Sequence, residues 1–215
     1  MSLKEVIILG CAGNHLDVLE ILEEQRECYQ CIGFLDDKEE MQGKSFQGLP
    51  VLGKLIENKN FPQCLFVNSI AGYKSHRRRD TIAQQNGIEE SKFISLVSSK
   101  ASISKFATIG CGSVILAGSI VAANAKLGKQ VFMFQSSVVN HDTRVGDYSI
   151  IASNVGIAGG CQIGKNVYLG VGSNVRDEIM IGDYSLVGMG STIVHQIPSN
   201  VMVYGSPAKI KMEKV

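Results

Sequence analysis

The sequence predicts two folds in tandem, a small α/β domain followed by a parallel β-helix, and three observations carry that expectation. From position 97 to position 193 every sixth residue is a medium-sized aliphatic side chain, seventeen positions in one unbroken register. Before Val97 that register is absent, and short apolar runs alternate with helical patterns. The first of those runs ends in a glycine-rich turn, Gly10-Cys11-Ala12-Gly13.

The α/β part comes first. Val6-Ile7-Ile8-Leu9 is a continuous apolar run, the mark of a strand buried on both faces of a parallel sheet. The turn after it leads into a helical pattern with Leu16, Val18, Leu19 and Leu22 on one face. A second strand over Cys31-Ile32-Gly33-Phe34-Leu35 ends in Asp36-Asp37, and Leu65-Phe66-Val67 is a third. A helix is expected to start near Ser75, capped by its hydroxyl, and to run toward Gly87. Phe93-Ile94-Ser95-Leu96 reads as a fourth strand leading into the repeat. Strands alternating with helices imply a parallel α/β domain, with the boundary set at residues 1–92 and 93–215.

A helix repeats near 3.6 residues and a strand near 2, so neither alone demands a strict six. A six-residue repeat makes each hexad one flat face of a coiled prism. Four residues after each aliphatic stands a mostly small residue, among them Ala107, Ser113, Ser119, Ala125, Ser137 and Thr143. Alternating large and small inward side chains would fill a narrow triangular interior. Three hexads make one coil, so about five to six coils stack at roughly 4.8 Å each. Glycine often follows the aliphatic, at Gly110, Gly128, Gly146, Gly164, Gly170, Gly182 and Gly188, and is expected at corners that need positive φ. The pattern resembles the left-handed hexapeptide-repeat helix, an exception to the right-handed crossover rule.

Composition narrows the function. A net charge of +1 argues against a dedicated nucleic-acid binder. No apolar run reaches membrane length and no signal peptide is visible, so a cytoplasmic protein is expected. Cys28 and Cys31 form a lone CxxC with no second ligand pair, which points to reduced thiols and no metal.

Ligands of open α/β sheets bind at the carboxyl ends of strands. The glycine turn holds that place after the first strand and Asp36-Asp37 after the second. A glycine turn entering a helix offers free N–H groups to phosphate, and an acid after strand two accepts from a ribose or base. The motif is GxxG rather than GxGxxG, so a dinucleotide is not indicated. Within the repeat, His141 falls in neither inward column and must point outward, with Asp142 beside it. Acyl transfer to an amine or hydroxyl needs a base, and imidazole next to a carboxylate suits that task. Gly159 and Gly160 interrupt the hexads downstream, where a free amide could meet a developing oxyanion. Lys209 could meet an anionic phosphate, His195 reads as structural or solvated, and the His76-Arg77-Arg78-Arg79 run reads as a charged helix face, with neutralisation of a diphosphate as its alternative.

Both halves together resemble the sialic-acid O-acetyltransferases and the UDP-4-amino-sugar N-acetyltransferases of bacillosamine and perosamine pathways. The matching landmarks are Gly10-Cys11-Ala12-Gly13, Gly33-Phe34-Leu35-Asp36-Asp37, Val139-Asn140-His141-Asp142, Val145-Gly146-Asp147 and Gly205-Ser206-Pro207-Ala208-Lys209. The resemblance implies a Rossmann-like nucleotide-sugar domain joined to a left-handed β-helix, with acetyl-CoA as co-substrate and a homotrimer with active sites between β-helices. It implies His141 as general base, Asp142 as its acid partner, and Gly159, Ile150, Val171 and Lys209 against acetyl-CoA. It implies Ala12, Gly13, Asn14, His15, Asp36 and Asp37 against the nucleotide sugar. Three positions depart from the family pattern. Ile150 stands where many members have a histidine and Phe134 where many have an asparagine, while Asn14 displaces His15 by one.

The expected function is acetyl-CoA-dependent N-acetylation of a nucleotide-linked amino sugar for surface polysaccharide or glycan synthesis. Sugar O-acetylation and a non-catalytic nucleotide-sugar-binding role are the alternatives. Metal-dependent hydration on a β-helix would need three histidine ligands, and the repeat holds only His141 and His195.

Overall fold

The computed structural model describes residues 3–11 and 13–213. It is a Rossmann-like α/β domain followed by a left-handed parallel β-helix. In the first domain β1 (Lys4–Leu9) pairs in parallel with β2 (Tyr29–Leu35) and, on its other side, with β5 (Leu65–Asn68). The hairpin of β3 (Ser45–Phe46) and β4 (Leu49–Gly53) extends the sheet to the order β3-β4-β2-β1-β5. This hairpin lies outside the sequence expectation, although Gln47-Gly48, both at positive φ, is a two-residue turn of the kind hairpins use. Alternation along β1 sends Val6 and Ile8 to the face covered by α1 (His15–Glu24), and Ile7 and Leu9 to the opposite face with Leu55, Phe66 and Phe93.

Two local expectations change. Ser75 does not cap a helix. Its hydroxyl bonds the Gly72 carbonyl at 3.0 Å, and a 3-10 turn, His76–Arg78, precedes α2 (Arg79–Gln85). The fourth strand shrinks to one bridge between Phe93 and Phe66, while Leu96–Val97 already belongs to the β-helix.

The β-helix has three flat faces of stacked two-residue strands, paired at steps of eighteen residues: Val121 with Val139, Val139 with Ile157, Ile157 with Val175. The aliphatic register fills one continuous core, including Ile115, Met133, Ile151, Leu169 and Val187. The small inward residues do more than fill space. Ser113, Ser137, Thr143 and Ser149 are buried, and each hydroxyl donates to a carbonyl of the next coil and accepts an amide from it. These buried polar atoms are therefore satisfied within the ladder.

The glycine expectation needs a physical correction. None of Gly110, Gly128, Gly146, Gly164, Gly170, Gly182 and Gly188 has positive φ. They are small because coils stack closely: a Cβ on Gly146 would lie 2.6 Å from the Gly164 carbonyl carbon, and one on Gly170 2.6 Å from the Met189 amide nitrogen. The left-handed corners are held largely by Asn124, Gln130, Asp142, Tyr148, Asn154, Asn166 and Tyr184.

A third periodicity positions the two domains. On one face, the outward residue of each strand is apolar and lies eighteen residues from the next: Leu96, Val114, Phe132, Ile150, then Tyr168. The first four are fully buried and share a single core with Val18, Leu19 and Leu22 of α1. On the next face the matching positions are Thr108, Lys126, Arg144 and Gln162. One edge of that docking face also carries interdomain bonds. The Arg79 guanidinium is buried and donates to the carbonyls of Ile70, Gln130 and Tyr148, while Asn166 and Tyr184 bond Asp80. The reading of His76 and Arg79 as part of a charged helix face is thus overturned, because this edge covers both. Among the described residues no helix is long and apolar enough to cross a membrane.

Candidate active site

The corner columns of the prism place the chemistry. One edge stacks Ala123-Asn124, His141-Asp142, Gly159-Gly160 and Asp177-Glu178, one pair per coil. His141 and Asp142 form the turn between Val138–Val139 and Arg144–Val145, with side chains 66% and 58% exposed. Asp142 sits at φ 60, and its Oδ2 lies 2.9 Å from His141 Nδ1. Its Oδ1 accepts from the Asn124 amide at 3.2 Å. The hydrogen bond to His141 is the largest cause holding the Asp142 carboxyl below its ordinary pKa. The pair therefore favours the tautomer with a proton on Nδ1 and a free lone pair on Nε2.

Gly159 supports the ring from the coil above. A Cβ there would lie 2.6 Å from His141 Cε1 and 2.7 Å from Nε2, so only glycine leaves room for this imidazole position. The Gly159 N–H donates to Asp177 Oδ1 over a long 3.3 Å, so the amide expected to face an acyl oxygen has a weak carboxylate partner. Gly160 is the one of the pair with positive φ. His195 is exposed on this same edge, three coils along.

A second site lies in the first domain, a cleft of about 480 Å³ lined by Gly10, Asn14, Asp36, Asp37, residues 69–75 and Arg78. The Asn14 side chain donates to the carbonyls of Ser69 and Ala71 and so ties the glycine turn to the opposite wall. Asp36 lines the cleft but is largely committed, accepting the Cys11 amide at 2.8 Å and the Lys38 amide at 2.9 Å. Burial and this carboxylate push the Cys11 thiol up to about 12. Asp37 accepts the Leu55 amide through Oδ1. Lys38, Tyr73, Lys74 and Arg78 also border the cleft; the first three lie on irregular segments and Arg78 ends the short 3-10 turn, so periodicity could not place them there.

Two expected site residues fall elsewhere. His15 is buried against Phe34 and Phe46, with Nδ1 accepting the Gly13 amide, and does not line the cleft. The displacement by Asn14 turned it into the core. Ile150 is fully buried under α1 and cannot touch an acyl donor. Gly13 is exposed beside the cleft, and Ala12 lies outside the described residues. Lys209 is exposed on the terminal strand Ala208–Glu213, and Val171 is exposed on a different edge from Gly159. One chain therefore brings together His141, Asp142 and Gly159, and separately Asn14, Asp36 and Asp37.

A family model described as the PglD N-terminal domain matches residues 5–85. No curated protein matches the chain. Among solved structures, the acetyltransferase domain of PglB from Neisseria gonorrhoeae is 27% identical, with a TM-score of 0.86 over 97% of this chain and 100% of that one. PerB from Caulobacter crescentus, solved with CoA and GDP-perosamine, is 25% identical, with a TM-score of 0.84 over 98% of this chain and 99% of that one. Over nearly its whole length the chain is similar to these two nucleotide-sugar-type acetyltransferase structures, and its first domain matches the PglD N-terminal family. WeeI from Acinetobacter baumannii, 22% identical over 97% of this chain and 100% of that one with a TM-score of 0.67, shares the fold.

The apolar residues at Phe134 and Ile150 have a structural reason, since both pack in the core that joins the domains. Truncating Ile150 to alanine should cost about 2–5 kcal/mol, read as a lower urea midpoint, with the KM for acetyl-CoA unchanged. The buried histidines give a pH prediction. Burial lowers the pKa of His15, against the opposing pull of Asp36 and Asp17, and lowers that of His76, against its bond to the Tyr73 carbonyl. The unfolded chain then binds protons more readily than the folded one, so stability is full above about pH 6.5 and is lost as pH falls below it. The Tm should drop between about pH 7 and pH 5, and His15→Phe with His76→Phe should flatten that slope.

Proposed function

We propose that this protein transfers the acetyl group of acetyl-CoA to the amine of a nucleotide-linked amino sugar, in glycan or surface polysaccharide synthesis. The observation that carries the reading is the His141–Asp142 pair, its free Nε2 set over Gly159, in a chain that also holds a nucleotide-sized cleft. The relatives solved with acetyl coenzyme A, or with CoA and GDP-perosamine, support the same chemistry. In this reading residues 1–92 hold the nucleotide and residues 93–215 hold the acyl donor.

His141 Nε2 takes a proton from the sugar amine as the nitrogen attacks the thioester carbonyl. Asp142 stabilises the imidazolium that forms. Gly159 offers its amide to the oxygen that gains charge, exchanging its long bond to Asp177 for a better one. The imidazolium then returns the proton to the departing thiolate. Cys161, the thiol nearest in sequence, is fully buried and bonded to backbone carbonyls, so the reading takes the transfer as direct. Gly159, Val171 and Lys209 are the residues assigned to the acyl donor. A groove of about 500 Å³ beside the His141 edge, bordered by Lys126 and Arg144, suits its anionic phosphates.

The first domain covers the face opposite the His141 edge, and Val171 and Gly159 occupy different edges. A nucleotide sugar in one chain's cleft is therefore best served by the His141 of another copy. This supports a homotrimer, in a cytoplasm that supplies both substrates and keeps the six cysteines as the free thiols seen here. The test compares CoA release for paired nucleotide sugars bearing an amine or a hydroxyl at the same carbon. Release with the amine alone is expected. Release with the hydroxyl alone would make the enzyme an O-acetyltransferase.

A further inference from the structure

The buried Arg79 joins two structures that the proposed reaction uses together. Its Nε donates at 2.9 Å to the carbonyl of Ile70, which lies in the wall of the nucleotide cleft. Its Nη1 donates at 2.9 Å to the carbonyl of Gln130 and at 3.1 Å to that of Tyr148, both on one edge of the β-helix. Among the described residues no carboxylate pairs with it, and only 1% of its surface is exposed.

A buried guanidinium without a counter-charge is a costly way to join two domains, since apolar packing does so at no desolvation penalty. The apolar face around Phe132 and Ile150 already performs that role. What apolar contact cannot do is fix one loop carbonyl at a set height above another backbone, and a rigid planar fork can. The start of the cleft wall is otherwise anchored on the sheet side, by Ser69 Oγ on the carbonyls of Leu9 and Gly10 and by Asn14 on those of Ser69 and Ala71, while its far end reaches the β-helix indirectly, through His76, which bonds the Tyr73 carbonyl and accepts from Asn166. We propose that Arg79 is a positioning residue for the nucleotide sugar, holding the 69–75 wall on the β-helix so that the cleft is preformed. This rests on the reading of the cleft as the nucleotide site.

Lysine keeps the charge but has one donor centre and cannot hold both limbs. Arg79→Lys should weaken binding of UDP or GDP, measured by calorimetry, about tenfold, the loss of one charged hydrogen bond's contribution. The KM for the nucleotide sugar should rise by the same factor and the KM for acetyl-CoA should stay put. Arg79→Gln, which removes the charge and keeps one limb, should behave likewise and guards against a lysine variant that fails to fold. Tyr184→Phe breaks the neighbouring bond to Asp80 without touching the wall, and should lower the Tm while leaving nucleotide affinity unchanged. If wild type binds UDP or GDP and both Arg79 variants bind equally well, the inference is overturned and the nucleotide reading stands. The inference is also overturned if Tyr184→Phe loses affinity in step with its Tm, since Arg79 would then act only through stability. If wild type binds neither nucleotide, the reading and the inference fall together.

Discussion

His141→Ala should lower kcat for acetyl transfer by about 10²–10⁴-fold, the range removed with a positioned general base. The expectation follows from the corner geometry. Nδ1 is held by Asp142 at 2.9 Å, Asp142 is held in turn by Asn124, and Nε2 remains to accept a proton. The side chain is two-thirds exposed and supports no core, so the variant should keep its Tm. Steady-state kinetics with acetyl-CoA and a nucleotide amino sugar reads the effect. A residual rate within a few-fold of wild type would remove His141 from the chemistry.

The second large effect is expected at Gly159, where alanine adds one methyl group. Gly159 is not at positive φ, so its backbone tolerates alanine. The added carbon would sit 2.6 Å from His141 Cε1, and the imidazole must swing aside. A misplacement of about 1 Å costs on the order of 10²-fold in rate, so kcat should fall by roughly that factor. Nucleotide affinity and Tm should barely change, because the clash is with an exposed ring. Unchanged kcat would mean that Gly159 sets neither the ring nor the oxyanion.

How much of this was written in the sequence depends on periodicity. The six-residue register specifies the β-helix because one inward aliphatic per face is a repeating physical demand. His141 and Asp142 were legible because they break from both inward columns. The eighteen-residue series Leu96, Val114, Phe132, Ile150 was equally present and marks the docked face, yet a six-residue reading hides it. It explains why Ile150 belongs to the domain joint rather than to the acyl donor. The placement of His15 was not legible, since one inserted residue in a glycine turn decides whether the ring faces the cleft or Phe34 and Phe46. Nor was the role of Arg79, whose acceptors are backbone carbonyls far away in sequence. A run of three arginines carries no sign of which one turns inward.

Mass analysis of the nucleotide sugar after incubation with acetyl-CoA and the wild-type protein tests the central claim most directly. Across UDP- and GDP-linked 4-amino sugars, the account predicts one acetyl group on the sugar amine of at least one of them, with one CoA released per sugar modified. Unmodified sugar throughout the panel, or CoA release that is the same without any acceptor, would contradict it.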